Sequence, residues 1–92
     1  MALTFEWDES KDQENLIKHG VGIEEAKSVF NDPLAITIYD PDHSISEDRF
    51  IDLGYSVKKR LLIVVYTDRD EVIRLISCRV ATPRERLNYE QG

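Results

Sequence analysis

Five consecutive residues, Leu61-Leu62-Ile63-Val64-Val65, constrain this chain more than any other segment. A strand sends alternate side chains to opposite faces, so a run that is apolar throughout needs cover on both and belongs in the centre of a sheet. Strands must flank it. The neighbouring sequence supplies them, roughly Asp48 to Tyr55 before it and Glu71 to Arg79 after it. Asp68-Arg69-Asp70 leads from the central run into the last strand over the length of a tight antiparallel hairpin.

The first half of the chain alternates strand and helix signals. Thr4-Phe5-Glu6-Trp7 alternates polar and apolar residues as a short half-buried strand does. Asp8 suits a helix N-cap, Glu9 the first turn, Lys18 and His19 the last turn, and Gly20 the residue just past the end. That helix is polar on most sides, and Leu16 and Ile17, with Trp7 nearby, are its expected anchor. Ile23, Ala26, Val29 and Phe30 share one face of a second helix, which Asn31-Asp32-Pro33 ends. Leu34 to Tyr39 reads as another strand, and Asp40-Pro41-Asp42-His43-Ser44 as a loop.

After the last strand, Thr82-Pro83-Arg84-Glu85 starts a helix, with Thr82 as N-cap, Pro83 in the first position and Glu85 closing a capping box. Ninety-two residues without linkers or repeats form one domain, spanning 1–92. The order predicts an α+β class: a small antiparallel sheet, two N-terminal helices on one face and a short C-terminal helix.

Charge is segregated along the chain. The net charge is −6, but residues 1–52 carry four Lys/Arg against thirteen Asp/Glu, whereas residues 53–92 carry eight against five. A local basic face is thus compatible with an acidic whole. No apolar run approaches the roughly 20 residues needed to span a bilayer, so no membrane contact is expected. The N-terminus turns acidic by Glu6 without a signal-peptide pattern, and the one cysteine, Cys78, excludes an internal disulfide. A cytoplasmic location is expected. Cys78 lies in an apolar strand and reads as a core thiol.

Arg79 stands at a strand end, one turn before a helix on which Arg86 and Tyr89 lie three residues apart. Arg49, near the start of an earlier strand, joins them if it points to the same face. Such a group matches RNA cleavage by the RNA's own 2′-hydroxyl: permanently charged arginines neutralise the phosphorane, and a tyrosine moves a proton or stacks on a base. The same arginines also suit ordinary ion pairs with Glu85 and Glu47. His19 is an acid–base candidate beside Lys18, although both equally complement a helix C-terminus. Lys58, Lys59, Arg60 and Arg74 complete the cations available to RNA. Asp40, Asp42 and His43 lack further ligands for a metal, so no metal or other cofactor is expected.

The pattern resembles the BrnT family of bacterial toxins. The resemblance rests on Phe5-Glu6-Trp7-Asp8, Lys11, Asn15, Lys18-His19-Gly20-Val21, Glu24-Glu25-Ala26, and Phe30 with Asp32-Pro33. It continues through Asp40-Pro41-Asp42-His43-Ser44, Glu47, Arg49-Phe50, Gly54, Arg74, Ile76-Ser77, Arg79, Ala81-Thr82, Glu85-Arg86 and Tyr89. It implies a RelE-like fold, an RNA-cleaving toxin that stops translation, and a BrnA-type ribbon-helix-helix antitoxin through which alone operator DNA is bound. It also implies arginine and tyrosine chemistry at the phosphate, with Arg49, Arg79, Arg86 and Tyr89 in those roles. A toxin-like module without catalysis, acting as co-repressor, is the rival reading. Ile45, Leu53 and Tyr55 are the apolar positions expected to meet a partner.

Overall fold

A computed structural model describes residues 3–41 and 47–92. Its elements, in chain order, are β1 (Thr4–Glu6), α1 (Glu9–His19), α2 (Ile23–Lys27) and a 3-10 turn (Ser28–Asn31). Then come β2 (Ile36–Tyr39), β3 (Arg49–Tyr55), β4 (Leu61–Arg69), β5 (Val72–Val80) and α3 (Pro83–Gln91). The sheet order is β1-β5-β4-β3-β2, so the all-apolar run occupies the middle strand.

The sheet is mixed rather than antiparallel. β2, β3, β4 and β5 pair antiparallel, but β1 lies parallel to β5, with Phe5 opposite Ile73. The chain between β1 and β5 holds both helices and three strands, long enough for the crossover that a parallel pair requires. The β4–β5 turn is also tighter than expected: Asp68 and Arg69 extend β4, leaving Asp70 and Glu71 with φ of 50° and 70°. Positive φ at both central residues matches the twist of a two-residue hairpin. β2 begins at Ile36, and Leu34 is exposed ahead of it.

Each face of β4 has its own core. Leu62, Val64 and Tyr66 pack with Cys78, Ile73 and Leu75 of β5 and with Val21, Ile23, Ala26 and Val29 from the helical segment. Phe5, Trp7, Phe30 and Phe50 line that core, with Phe30 set edge-on to both Phe5 and Tyr66. Leu61 and Ile63 face the other way, packing with Leu53 and, more loosely, with Ala81 and with Tyr89 of α3. Thus α3 approaches the face opposite α2.

The helix ends follow their local chemistry. Asp8 accepts from the Ser10 and Lys11 amides, and Gly20 closes α1 at φ 70°, its amide donating to the Leu16 carbonyl. Thr82 and Glu85 form the reciprocal capping box. The anchor of α1 differs from expectation. Leu16 and Ile17 are exposed, at 54% and 87%, and the buried residue is Asn15. Its amide donates to the carbonyls of Val21 and Cys78 and its oxygen accepts from the Cys78 amide, while Asp12 accepts from the Ile23 amide. The Leu16–Ile17 pair falls on the side of α1 turned away from β5.

Candidate active site

Strand register sorts the charged residues. Arg79 lies opposite Ile63, Ile63 opposite Leu53, and Leu53 opposite Ile36. Two residues further along the strands the row is Ser77, Val65, Ile51 and Ile38; two beyond that on β4 and β3, and three on β5 because the register shifts at Val65/Tyr66, it is Arg74, Thr67 and Arg49. Cross-strand partners share a face. This face therefore has an apolar floor with Arg79 near one end and Arg49 and Arg74 near the other. Four residues of β4 separate the two cationic rows, about 13 Å at strand rise. The four residues Arg49, Arg79, Arg86 and Tyr89 do not form one cluster, because Arg49 sits at the far end of β3 from Tyr55.

At the near end the side chains are tightly engaged. Arg79 makes a bidentate pair with Glu85, both contacts 2.8 Å, and Glu85 also caps α3 through the Thr82 amide. The Arg79 guanidinium, together with the cap, pulls the Glu85 carboxyl down to about 2 against the opposing effect of burial. Arg86 donates to the Tyr55 hydroxyl at 2.9 Å, and the Tyr55 and Tyr89 rings meet edge to face, with centroids 5.2 Å apart. The Tyr89 hydroxyl donates to Asp32 Oδ2 at 2.8 Å. Burial and the Asp32 carboxylate push the Tyr89 phenol up to about 12.

Asp32 and Tyr55 are absent from the sequence-derived site. Asp32 follows the 3-10 turn and accepts from the Leu34 amide at Oδ1 and from the Tyr55 amide at Oδ2. Burial alone would raise its carboxyl; these amides and Tyr89 outweigh that and lower it. Gly54 makes the approach possible, since a Cβ there would lie 2.9 Å from Val29 Cγ1 and Ala35 Cβ, and 3.2 Å from Asp32 Oδ2. The sequence signal was Asp32-Pro33 itself, which reads as a helix stop.

The other predicted cations divide by environment. Arg60 is committed elsewhere: its Nε donates to Glu25 Oε2 at 2.9 Å, its Nη2 to Glu25 Oε1 and to the Gly20 carbonyl. Glu25 is 6% exposed and also accepts from Ser56, and the Arg60 contact dominates the lowering of its carboxyl. Arg60 therefore ties the β3–β4 turn to the α1–α2 corner. Lys58 and Lys59 are exposed in that turn, Lys59 at φ 63°. Arg74 lies 3.7 Å from Glu6, and Arg69 pairs with Glu47. Lys18 and His19 end α1 and, with Lys11, Asn15, Ile76 and Ser77, line a groove of about 260 Å³ along β5.

Leu53, expected at a partner surface, is 3% exposed core, and Tyr55 is half-buried against Tyr89. Ile45 and the Asp42-His43-Ser44 part of the loop lie outside the described residues. Cys78 is buried, and burial pushes its thiol up to about 11. Among the described residues no group of three or more His, Cys, Asp or Glu is placed to hold a metal, and no helix is long and apolar enough to cross a membrane.

The five-stranded mixed sheet and three helices of the described residues match the fold of a solved ribonuclease toxin. The crystal structure of the Brucella abortus ribonuclease toxin BrnT matches with a TM-score of 0.63 at 20% identity, over 88% of this chain and 99% of that one. Residues 7–85 match the family described as "Ribonuclease toxin, BrnT, of type II toxin-antitoxin system". The chain belongs to that family, and a toxin of this type has an antitoxin as its partner. No curated protein sequence matches it.

Proposed function

We propose that this chain is an endoribonuclease that cuts RNA by transfer of the phosphoryl group to the adjacent 2′-oxygen, without a metal ion, and so inhibits translation in the cytoplasm. The observation that carries the reading is the meeting of Arg86, Tyr55 and Tyr89 at the end of the sheet face that also carries Arg79. Charge builds on the phosphate oxygens as the 2′-oxygen attacks, and fixed guanidinium groups stabilise it without titrating. Arg79 and Arg86 take that role, Tyr89 handles a proton, and Arg49 and Arg74 hold the RNA backbone further along the face. His19 and Lys18 flank the same strand and guide the RNA along β5. Lys58 and Lys59 contribute salt-sensitive attraction.

The partner in this reading is a BrnA-type ribbon-helix-helix antitoxin, and operator DNA is met only through it. The first half of the chain, with nine more acidic than basic residues, offers a surface to that basic DNA-binding partner. A second reading, a non-catalytic co-repressor, draws on the Arg79–Glu85 pair, which neutralises the leading phosphate-binding group within the chain itself. Expression of the chain alone in bacteria separates the two. A nuclease arrests growth and leaves cut RNA, and co-expressed antitoxin relieves it; a co-repressor is harmless alone.

A further inference from the structure

We infer that Asp32 is a positioning residue that makes Tyr89 the proton acceptor for the attacking 2′-hydroxyl, by taking Tyr89's own phenolic proton as the 2′-proton arrives. This inference rests on the reading of Tyr89 as a group at the cleavage site.

The geometry is specific. Asp32 Oδ2 receives both the Tyr89 hydroxyl and the Tyr55 backbone amide, each at 2.8 Å, while Oδ1 is held by the Leu34 amide at 2.9 Å. Three donors fix the carboxylate, and the carboxylate fixes the phenol. Because the Tyr89 hydroxyl donates to Asp32, its oxygen lone pairs remain available to a proton arriving from elsewhere. A phenol held at about 12 does not ionise near neutral pH, so Tyr89 accepts a proton only by passing one on. Asp32 is the group in contact to receive it. The other titratable group in contact with Tyr89 is Tyr55 from β3; on the helix of Tyr89, Arg86 is bonded to Tyr55, and Glu85 is bonded to Arg79. Tyr55 meets Tyr89 through its ring and accepts from Arg86, and Glu85 is committed to Arg79.

The step balances. The 2′-oxygen to phosphorus bond forms as the 2′-proton moves to Tyr89 Oη and the phenolic proton moves to Asp32 Oδ2. The negative charge leaves Asp32 and appears on the phosphorane, where Arg79 and Arg86 face it. Breaking the bond from phosphorus to the 5′-oxygen releases that oxygen, which takes up a proton from water; the hydroxide left behind takes the Tyr89 proton as Asp32 returns its own to Tyr89 Oη, which restores both groups.

The test is the pH profile of single-turnover cleavage of a short RNA in chelator, between pH 5.5 and 9.5, for the wild type, D32N and Y89F. The wild type is expected to be flat, because Asp32 is ionised throughout. D32N is expected to be slower by on the order of 100-fold near neutrality. Its rate should then climb about tenfold per pH unit, as Tyr89 returns toward about 10 and acts as phenolate. Y89F stays slow at every pH. A D32N enzyme that is slow but flat, or as fast as wild type, overturns the inference. NMR titration of the Tyr89 ring carbon checks the coupling without RNA: D32N moves the midpoint down, and an unmoved midpoint again overturns it. Failure of the parent reading looks different. There Y89F cuts like wild type, or no variant cuts at all, whatever the Tyr89 midpoint does.

Discussion

The carboxamide of Asn15 completes the outer edge of β5 by pairing with the backbone of Cys78: Asn15 Nδ2 donates to the Cys78 carbonyl at 2.7 Å, and the Cys78 amide donates to Asn15 Oδ1 at 3.2 Å. β1 pairs only as far as Arg74, so without this amide the edge at Cys78 lacks a strand partner. A side chain thus stands in for one residue of a strand and seats α1 against the sheet.

Asn15→Ala leaves the buried Cys78 amide and carbonyl and the Val21 carbonyl without this partner. An unsatisfied buried backbone group costs about 1–3 kcal/mol, so the variant should lose at least about 2 kcal/mol in urea unfolding. Asn15→Asp should be as damaging, because a carboxylate cannot donate to either carbonyl.

Glu85→Gln should free Arg79 while keeping α3 capped, since glutamine also closes a capping box. The expected outcome is several-fold tighter RNA binding at low salt, read by fluorescence anisotropy. The melting temperature should change little, because an ion pair with Arg79 40% exposed contributes at most about 1 kcal/mol.

Acid stability carries the same signature. Glu85 is held at about 2 in the folded chain, against about 4.3 for an unperturbed glutamate. Its contribution is complete above the unfolded value and is lost as pH falls toward the folded one. Wild type should therefore lose, between about pH 4.3 and 2, an extra stability of at most about 1 kcal/mol that Glu85→Gln does not lose, the size of the solvent-screened pair. Parallel curves for the two proteins would remove Arg79–Glu85 from the account.

Gly54→Ala should destabilise by about 1–3 kcal/mol, because the added methyl meets Val29 and Ala35 at 2.9 Å inside a packed layer. It should also disturb Tyr89, since Asp32 lies against the same spot. Urea unfolding reads the first effect and the Tyr89 ring-carbon signal the second.

Features set by neighbours in sequence were legible: the Asp8 cap, Gly20, the Thr82–Glu85 box and the all-apolar middle strand depend on a few residues each. The parallel pairing of β1 was not, because it joins segments more than sixty residues apart and leaves no local mark. Leu16 and Ile17 misled for a related reason. With Asn15 and Asp12 making the contacts, the polar side of α1 is the one turned inward. At the proposed site, residue type alone nominated Arg79, Arg86 and Tyr89. Asp32, and the commitment of Arg60 to Glu25, appear only once residues from distant elements meet.

Metal-free cleavage centred on Arg79 is tested by incubating RNA with the purified chain in excess chelator, with Arg79→Ala and the Lys58→Ala/Lys59→Ala pair run alongside. Arg79 sits on a rigid strand end where a guanidinium can be aimed at one phosphate, whereas the turn lysines act through attraction that salt screens. Cutting without added metal is expected, with products ending in a cyclic or 3′-phosphate. A loss on the order of 100-fold or more is also expected for Arg79→Ala, comparable to removing an aimed transition-state contact. The lysine variant should lose only a few-fold, and that loss should vanish as salt rises. Cleavage that appears only when magnesium is supplied, or equal losses in all variants with folding intact, would contradict metal-free cleavage centred on Arg79.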